Sequence, residues 1–305
     1  MKNDFLTLWD LGTEKIEKVL ARAEELKRLR AEGSTPRVLE GKQIAILLEK
    51  ASTRTRVSFE VGIQELGANP LVLSANEMQL GRGESIEDTA RVISRYLHAV
   101  VYRGHGHDRM QALAKYASIS VINALSDSYH PCQLLADLLT IREHVNKPWS
   151  DLRVAWVGDG NNMAHSWINA AALLGFELRI ASPKGYEPDA EVLKHATLQG
   201  KVRLVLGDNA QEAVLDADVV NTDVWASMGQ ESENEKRKLA FDGFCVSAEI
   251  MRKASDNAIF LHCLPAHRGE EVETSVLEGA SSRIWDEAEN RLHAQKALME
   301  VLLSE

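Results

Sequence analysis

Short apolar runs alternate with stretches of helical hydrophobic spacing along nearly the whole chain. In the first half, the apolar runs cover residues 44–48, 71–73, 99–102 and 119–122. In the second half, they cover residues 154–157, 178–181, 202–206, 219–221 and 259–261. Strands that are separated by helices usually pair in parallel. The alternation therefore predicts an α/β fold with two domains, each a parallel, doubly wound sheet flanked by helices.

Helical spacing also predicts where the helices and domains begin and end. Apolar residues recur every three or four positions over residues 13–31 and 290–303, which predicts a helix at each end of the chain. Ser85, with an acid three residues later, predicts a helix that runs to Leu97. A helical pattern from Gln133 is interrupted at Pro148 and Ser150. We therefore expect one domain at 1–147 and another at 148–287, with a C-terminal helix at 288–305 that packs back on the first.

The composition limits the classes of function. The 305 residues carry a formal net charge of -10, which argues against a nucleic-acid partner, because such proteins usually present a basic surface. Cys132, Cys245 and Cys263 are widely spaced and odd in number, so we expect a reducing, cytoplasmic setting instead of a disulfide framework. The N-terminus matches neither a signal nor a transit peptide, and no apolar stretch approaches the length of a membrane span. We expect a soluble protein with no membrane partner.

In parallel sheets, ligands collect beyond the carboxyl ends of the strands, and the first polar cluster there is residues 52–56. It offers Ser52, Thr53, Arg54 and Thr55 at the start of a predicted helix. Hydroxyls, free backbone N–H groups and a guanidinium at a helix N-terminus suit a phosphate. The alternative is an N-capping serine or threonine with surface arginines, and for this cluster taken alone that interpretation is slightly favoured. The Walker glycine pattern is absent.

Two further clusters follow strands of the first half and the start of the second. A predicted helix begins at the segment His130-Pro131-Cys132-Gln133. Arg103 directly follows a predicted strand, and its side chain would face the same region. These side chains suit a carbonyl or an amide, although His130 taken alone could be a helix cap. The turn at Gly158 invites a dinucleotide interpretation, but Met163 stands where a third glycine belongs, which disfavours a nicotinamide cofactor. Asn162 in that turn can still anchor a small zwitterion.

The last two clusters follow later strands. The segment from Asp223 to Gly229 contains Ser227 and Met228, and is either a plain loop or a mobile lid. It leads into a polar run at 230–238, most simply a solvated loop or helix face. The segment His262-Cys263-Leu264-Pro265 closes another strand, and Cys263 alone would be taken as a core residue. A zinc site built from His130, Cys132, His262 and Cys263 is a weaker alternative, because no paired Cys-x-x-Cys spacing supports it.

The clusters at 52–55 and 130–133 together resemble the signature pair of the aspartate/ornithine carbamoyltransferase family. Adding the segments 223–229 and 262–265 narrows the resemblance to the ornithine branch, since the aspartate enzymes lack these two motifs. The similarity covers essentially the whole chain in the same order. It implies transfer of the carbamoyl group from carbamoyl phosphate to the δ-amine of L-ornithine, giving L-citrulline and phosphate. It also implies a homotrimer with sites at subunit interfaces and a place in arginine metabolism, for which we expect the biosynthetic direction.

The resemblance also implies a role for each matching residue. By this resemblance, the residues that hold the phosphate or lie beside it are Ser52, Thr53, Arg54, Thr55 and Arg291. Gln79 resembles a residue that reaches carbamoyl phosphate across a subunit boundary. Those that hold the carbamoyl group correspond to Arg103, His130 and Gln133. Those that bind ornithine correspond to Asn162 and the Met228 backbone at the α-carboxylate, and to Asp223 and Ser227 at the α-amine. Cys263 and the Leu264 backbone lie at the reacting centre, so the expected catalytic residues are Cys263, Arg103 and His130.

Carbamoyl phosphate is already an activated donor, so we expect neither a metal nor an organic cofactor. Three other functions remain open at this stage. They are a carbamoyltransferase for putrescine or an acylated ornithine, an oxidoreductase that uses the turn at Gly158, and a non-catalytic binding protein on the same fold. The segment 227–229 suits a free α-amino acid and speaks against the first. A non-catalytic protein would have no need to retain all five clusters. Structural roles explain each cluster singly, but they do not explain five polar clusters at strand ends that all suit one reaction.

Overall fold

The computed structural model describes residues 2–74, 78, 83–201, 203–226 and 233–304, and the chain divides into two compact units. Unit 1 comprises Met1–Leu139 and Ala288–Glu305, and unit 2 comprises Thr140–Glu287. Each unit contains its own parallel sheet with helices, which confirms the predicted fold class. The division falls inside a helix, Pro131–His144, so the domain boundary at 147/148 stays a prediction. Within the described residues, no helix is both long and apolar enough to cross a bilayer.

Unit 1 is built on a four-stranded sheet. Its strands are β1 (Gln43–Leu48), β2 (Asn69–Ser74), β3 (Ala99–Arg103) and β4 (Ser120–Leu125), in the order β2-β1-β3-β4. Its first helices are α1 (Gly12–Ala31), α2 (Thr53–Glu65), α3 (Ile86–Ile93) and α4 (His107–Tyr116), and α5 (Pro131–His144) begins in it. The predicted α1 and strands are confirmed. Helix α3 ends at Ile93 and not at Leu97, because the backbone after it forms successive turns instead of continuing the helical ladder.

The core of unit 1 follows directly from its apolar runs. Residues 44–47 of β1 are fully buried, as are the three central residues of β3. Parallel strands covered by helices on both faces read as continuous apolar segments, since neither face of the sheet meets water. Met110 and Leu113 of α4 close one side of this core. The register of the sheet is therefore fixed by burial, and with it the positions of the residues that follow each strand.

Helix α12 (Ile284–Leu303) supplies the C-terminal part of unit 1 from Ala288 onward. It begins six residues before the predicted start at 290, because the acidic first turn, with Asp286 and Glu287, suits a helix N-terminus without showing an apolar period. Gly62 of α2 lets this helix approach closely: a β-carbon there would lie 3.1 Å from Cγ of Lys296. The Lys296 ammonium is fully buried and lies 2.6 Å from the Glu65 carboxylate.

Unit 2 is built on a five-stranded sheet. Its strands are β5 (Arg153–Val157), β6 (Glu177–Ala181), β7 (Arg203–Gly207), β8 (Val219–Thr222) and β9 (Ile259–His262), in the order β7-β6-β5-β8-β9. Its helices are α6 (Asn162–Leu174), α7 (Ala190–Gln199), α8 (Ala210–Val214), α9 (Asn234–Ala240), α10 (Ala248–Met251) and α11 (Thr274–Leu277). The predicted strands are confirmed to within two residues, except that Val202 lies outside the described residues.

Both sheets reverse their strand order at one internal point. In unit 1 the chain runs from β1 to β2 on one side and then crosses to β3 on the other. In unit 2 it runs from β5 through β6 to β7 and then crosses to β8. The connections leave in opposite directions at such a point, so a crevice opens beyond the carboxyl ends of the two central strands. The fold thus predicts ligand sites after β1 and β3, and after β5 and β8.

The buried pair of Lys296 and Glu65 gives a test of how α12 is held. Replacing Glu65 with Ala leaves a buried ammonium without this partner, and we expect a loss of about 3 kcal/mol in the free energy of unfolding. Urea unfolding measures it. The double variant E65A/K296M removes both charges and keeps most of the volume of the Lys296 side chain, so it should recover most of the loss. An unchanged stability of E65A would contradict the role of the pair.

Candidate active site

The turn after β1 is an N-cap whose geometry also suits an anion. Ser52 has extended backbone angles, and its Oγ accepts a hydrogen bond from the Thr55 backbone N–H at 3.2 Å. The same hydroxyl lies 3.0 Å from Oγ1 of Thr55. Helix α2 then runs for 13 residues, so the partial positive charge of its dipole lies at Thr53 and Arg54. The capping and phosphate interpretations of this segment are therefore compatible.

Four more predicted residues of unit 1 lie together at this turn. Arg103 ends β3, next to β1, and its Nη1 lies 3.4 Å from Oγ1 of Thr55. Helix α12 brings Arg291, whose Nη2 donates to the same hydroxyl at 3.1 Å. Arg291 also donates to the side-chain oxygen of Gln133, and its Nη1 lies 3.5 Å from Nε2 of His130. Residues far apart in sequence thus converge on Thr55.

The charged groups that act on His130 are all positive. Burial is the main reason that the pKa of His130 lies well below its ordinary value, and the guanidinium groups of Arg291, Arg103 and Arg54 lower it further. The ring is therefore neutral at physiological pH. In the unfolded chain the His130 ring takes up a proton at its ordinary pKa of about 6.5, whereas in the folded protein it does not. The free energy of unfolding therefore decreases as pH falls below about 6.5.

Such an arrangement can bind an anion that carries an amide or a carbonyl. Three guanidinium groups and a helix N-terminus supply positive charge and forked donors for a phosphate. The neutral imidazole of His130 and the buried amide of Gln133 can each make one directional hydrogen bond to a planar group. Gln133 is held in place by donating to Asp137 at 2.8 Å. The cluster thus separates a charged half from a neutral polar half.

In unit 2 the carboxylate of Asp223, directly after β8, is the centre of the second cluster. One oxygen accepts from the Val224 backbone N–H at 2.8 Å and from the Cys263 thiol at 3.2 Å. The other accepts from Nδ2 of Asn161, after β5, at 2.9 Å. Asn162, the first residue of α6, follows in the same turn. Three strand ends, those of β5, β8 and β9, therefore meet at one buried carboxylate, which suits an amine.

The turn at Gly158 has a structural reason for its glycines. A β-carbon on Gly160 would lie 2.2 Å from the backbone nitrogen of Pro188 and 2.3 Å from the carbonyl carbon of Glu187. In dinucleotide-binding turns the middle glycine instead lets the pyrophosphate approach the backbone. Here that side of Gly160 is filled by the chain itself, and Met163 is buried where a third glycine would stand. The turn serves to place Asn161 and Asn162.

Asn161 and Arg237 are two residues of this region that sequence reasoning missed. Arg237, in the run interpreted as solvated, is only 6% exposed. Its Nη1 donates at 2.8 Å to both the Asp159 carboxylate and the Trp225 carbonyl, and its guanidinium lies 4.9 Å from the centre of the Tyr186 ring. The prediction that the polar run at 230–238 is a solvated loop or helix face is therefore wrong at Arg237. A lone arginine among glutamates and lysines carries no signal of burial, whereas an asparagine before a helix could have indicated the cap.

Potential metal ligands occur at Asp223, His262 and Cys263, which each offer one atom within 4.8 Å of the others. Both ring nitrogens of His262 already lie within hydrogen-bond distance of protein groups, 2.9 Å from the Leu264 backbone nitrogen and 3.1 Å from Glu271. Cys132, from the alternative zinc site, donates to the Asn123 carbonyl, and burial raises the pKa of its thiol to about 12. Such a thiol behaves as a core residue. Cys132, Cys245 and Cys263 form no disulfide with one another.

Three predicted site residues, Gln79, Ser227 and Met228, lie outside the described residues. Of the others, Ser52, Thr55, Arg103, His130, Gln133 and Arg291 meet in unit 1, with Arg54 close enough to act on His130. Asp223 and Cys263 meet in unit 2, beside Asn162 and Leu264.

Family models match nearly the whole chain. Residues 3–143 match the carbamoyl-P binding domain of aspartate/ornithine carbamoyltransferase, and residues 150–302 match the Asp/Orn binding domain. The chain belongs to the aspartate/ornithine carbamoyltransferase family. Arg291 lies within the second match although the structure assigns it to unit 1.

Individual members of this carbamoyltransferase family are similar over their full length. The ornithine carbamoyltransferase of Halorhodospira halophila is 55% identical over 299 residues, which cover 98% of each chain. That of Geobacter metallireducens is 51% identical over 303 residues, covering 99% of this chain and all of the other. The solved structure of ornithine carbamoyltransferase from Pyrococcus furiosus has a TM-score of 0.94 at 47% identity and covers 99% of this chain and 97% of the other. The anabolic enzyme from Campylobacter jejuni has a TM-score of 0.93 at 44% identity and covers 99% of each.

The contact between Asn161 and Asp223 can be tested by changing its charge. Asn161→Asp keeps an acceptor for the backbone N–H groups of Met163 and Ala164 but turns the donor toward Asp223 into a second carboxylate. Repulsion is relieved when one carboxyl is protonated. We therefore expect N161D to be close to wild type near pH 4 and to lose stability as pH rises to 7, in urea unfolding.

Asn161→Ser is the matched control, because it keeps the cap without adding charge. Its loss should be about 1 kcal/mol and nearly independent of pH. If N161D and N161S show the same pH profile, the amide of Asn161 does not face the Asp223 carboxylate as described.

Proposed function

We propose that this protein transfers the carbamoyl group of carbamoyl phosphate to the δ-amine of L-ornithine, producing L-citrulline and phosphate. The observation that carries the proposal is the convergence of Arg54, at the start of α2, with Arg103 and Arg291 around the neutral, buried His130. A charged half and a neutral half in one cluster match a molecule that joins a phosphate to a carbamoyl group. The family to which the chain belongs supports the same reaction.

For the donor substrate, the roles follow from the charge of each group. The phosphate would be held by the N-terminus of α2, with Ser52, Thr53, Arg54 and Thr55, and by Arg291. The carbamoyl group would be held by Arg103, His130 and Gln133, with Gln79 as a further contact from a neighbouring subunit. Because His130 is neutral, it can hydrogen bond to the carbamoyl group without competing with the arginines for the phosphate.

For the acceptor substrate, the buried carboxylate of Asp223 would bind the α-amine together with Ser227. Asn162 and the Met228 backbone would bind the α-carboxylate. Cys263, whose thiol donates to Asp223, and the Leu264 backbone would lie near the reacting δ-amine and the carbamoyl group. Putrescine carries two amines but no α-carboxylate, so it would not make the contacts proposed for Asn162 and the Met228 backbone.

The chemistry requires proton removal and stabilisation of developing charge. An aliphatic amine has an ordinary pKa of about 10.4, so the δ-ammonium must lose a proton before its nitrogen attacks the carbonyl carbon. The carbonyl oxygen then gains negative charge, which Arg103, His130 and the Thr55 hydroxyl can stabilise. One such donor is typically worth about 3 kcal/mol of barrier. The C–O bond to phosphate breaks next, and phosphate leaves with the electron pair. The attacking nitrogen also loses a second proton, which the departing phosphate can accept, so the donor supplies the driving force itself.

The wider setting is part of the proposal. We propose arginine metabolism in the biosynthetic direction, a cytoplasmic location and a homotrimer with sites at subunit interfaces. We also propose a first domain at 1–147 with the helix 288–305, and a second at 148–287. Absence of a metal and an organic cofactor stays a prediction that chelation and dialysis before the assay can test.

A colorimetric assay for citrulline tests the function directly. With carbamoyl phosphate as donor, we expect citrulline from L-ornithine and little carbamoylation of putrescine or L-aspartate. Chelated and dialysed protein should keep its activity. A clear preference for putrescine would change the acceptor, and no product with any of the three amines would contradict the proposed reaction.

Arg54→Ala tests the anion site. Loss of a guanidinium beside the phosphate should weaken the affinity for carbamoyl phosphate by roughly 10- to 100-fold, since a hydrogen bond to a charged group is worth about 1.5–3 kcal/mol. Titration calorimetry measures it. Arg56→Ala, two residues along on the exposed side of α2 where Arg56 pairs with Glu60, is the control and should bind normally. Unchanged affinity in R54A would contradict the site.

Cys263→Ser tests the reacting centre. We expect turnover to fall by roughly 10-fold or more while carbamoyl phosphate affinity stays within about 2-fold, because the thiol belongs to the Asp223 cluster of unit 2. Steady-state kinetics and calorimetry on the same preparations separate the two quantities. Cys245→Ser is the matched control. Wild-type turnover in C263S would show that Cys263 only fills the core.

A further inference from the structure

His262 and Glu271 form a buried pair next to the proposed reacting centre. The His262 side chain and the Glu271 side chain are both fully buried, and His262 Nε2 lies 3.1 Å from Glu271 Oε1. The same oxygen accepts the His267 backbone N–H at 2.6 Å. His262 ends β9, directly before Cys263. A buried ring and carboxylate one residue from a reactive position call for a role beyond filling space.

Hydrogen bonding fixes the tautomer of His262. Its Nδ1 lies 2.9 Å from the Leu264 backbone nitrogen, which can only donate. That nitrogen of the ring must therefore accept and carries no proton. The proton lies on Nε2 and points to the carboxylate of Glu271. His262 is thus a neutral ring whose orientation is set from both sides.

The backbone that His262 holds is strained. Leu264 has φ of 57°, in the left-handed region that L-residues other than glycine, asparagine and aspartate rarely adopt. Such a conformation persists only where surrounding contacts determine it. Here the Leu264 N–H is bonded to the ring of His262, and the His262 backbone N–H is bonded to the buried Glu287 carboxylate at 2.8 Å. The segment 262–264 is therefore fixed on both sides of Cys263.

A proton relay from the thiol through His262 does not fit these contacts. Neither ring nitrogen is left for Cys263, since one accepts from Leu264 and the other donates to Glu271. The thiol itself donates to Asp223 at 3.2 Å. A purely structural core pair is the remaining alternative. It would make activity depend on His262 only through stability.

We infer that His262, held by Glu271, is a positioning residue that keeps Leu264 in its strained conformation and thereby aims the Cys263 thiol and the Leu264 backbone at the carbamoyl transfer. The inference rests on the proposed function. It assigns the essential contact to the bond from the Leu264 N–H to Nδ1. The pair with Glu271 serves to select the tautomer that can accept this bond.

Two isosteric variants separate the contacts of the ring. In His262→Asn, the side-chain oxygen can replace Nδ1 as the acceptor for Leu264, whereas the reach to Glu271 is lost. In His262→Gln, the amide can reach Glu271, whereas the acceptor near Leu264 is lost. We expect kcat for citrulline formation to fall about 100-fold in H262Q and to be restored to within about 5-fold of wild type in H262N. Carbamoyl phosphate affinity should stay normal in both.

Urea unfolding of the two variants provides the structural comparison, because each loses one buried hydrogen bond and should lose similar stability. Wild-type turnover in H262Q, or equal losses of turnover in both variants, would overturn the inference. Wild-type protein that forms no citrulline would instead overturn the proposed function.

The tautomer of His262 can be tested by a measurement that does not depend on enzyme activity. In protein with ¹⁵N-labelled histidine, long-range ¹H–¹⁵N spectra, assigned by comparison with H262Q or H262N, should show unprotonated Nδ1 and protonated Nε2 for His262. The opposite tautomer, or a doubly protonated ring at neutral pH, would overturn the inference even if both variants fail to fold.

Discussion

Positive charge concentrated around a buried imidazole is the constraint on which the candidate site in unit 1 depends. Arg54, Arg103 and Arg291 all act on one imidazole that burial already keeps neutral. Like charges that are withdrawn from water repel, so the cluster costs free energy unless an anion offsets its charge. The surrounding structure holds it together through the cap at Ser52 and the buried hydroxyl of Thr55.

Unit 2 presents the complementary arrangement at its own switch point. One carboxylate, Asp223, collects the amide of Asn161, a backbone N–H and the thiol of Cys263. A positive cluster in one unit and a negative one in the other follow from the same topology, since each lies where the strand order reverses. The chemistry differs because the residues after the strands differ: arginines surround the cluster in unit 1, whereas a carboxylate is the centre of the cluster in unit 2.

Much of this arrangement could be predicted from the sequence. Buried parallel strands appear as continuous apolar runs, and the topology then places whatever follows them at the sheet edge, so the segments starting at Ser52, Arg103 and Asp223 were accessible to reasoning. The lengths of helices were harder to predict. Helix α3, for example, ends where the backbone turns and not where the apolar pattern ends.

Contacts that depend on tertiary packing left no local signal. The burial of Arg237 is one example, since charged residues are normally solvated and only the partners Asp159 and Trp225 reverse that expectation. The pair of His262 with Glu271 is another, because eight residues of irregular chain lie between the two. Arg291 was found through the family resemblance alone. Its spacing within α12 does not distinguish it from any other helical arginine.

A crystal structure with bound carbamoyl phosphate would decide whether the arginine cluster of unit 1 binds the donor. We expect phosphate oxygens at the N-terminus of α2, within hydrogen-bond distance of Thr55 and the Arg54 guanidinium, and the carbamoyl oxygen beside Arg103 and His130. Carbamoyl phosphate bound at another place on the protein, with the contacts among Thr55, Arg291 and Gln133 unchanged, would contradict it.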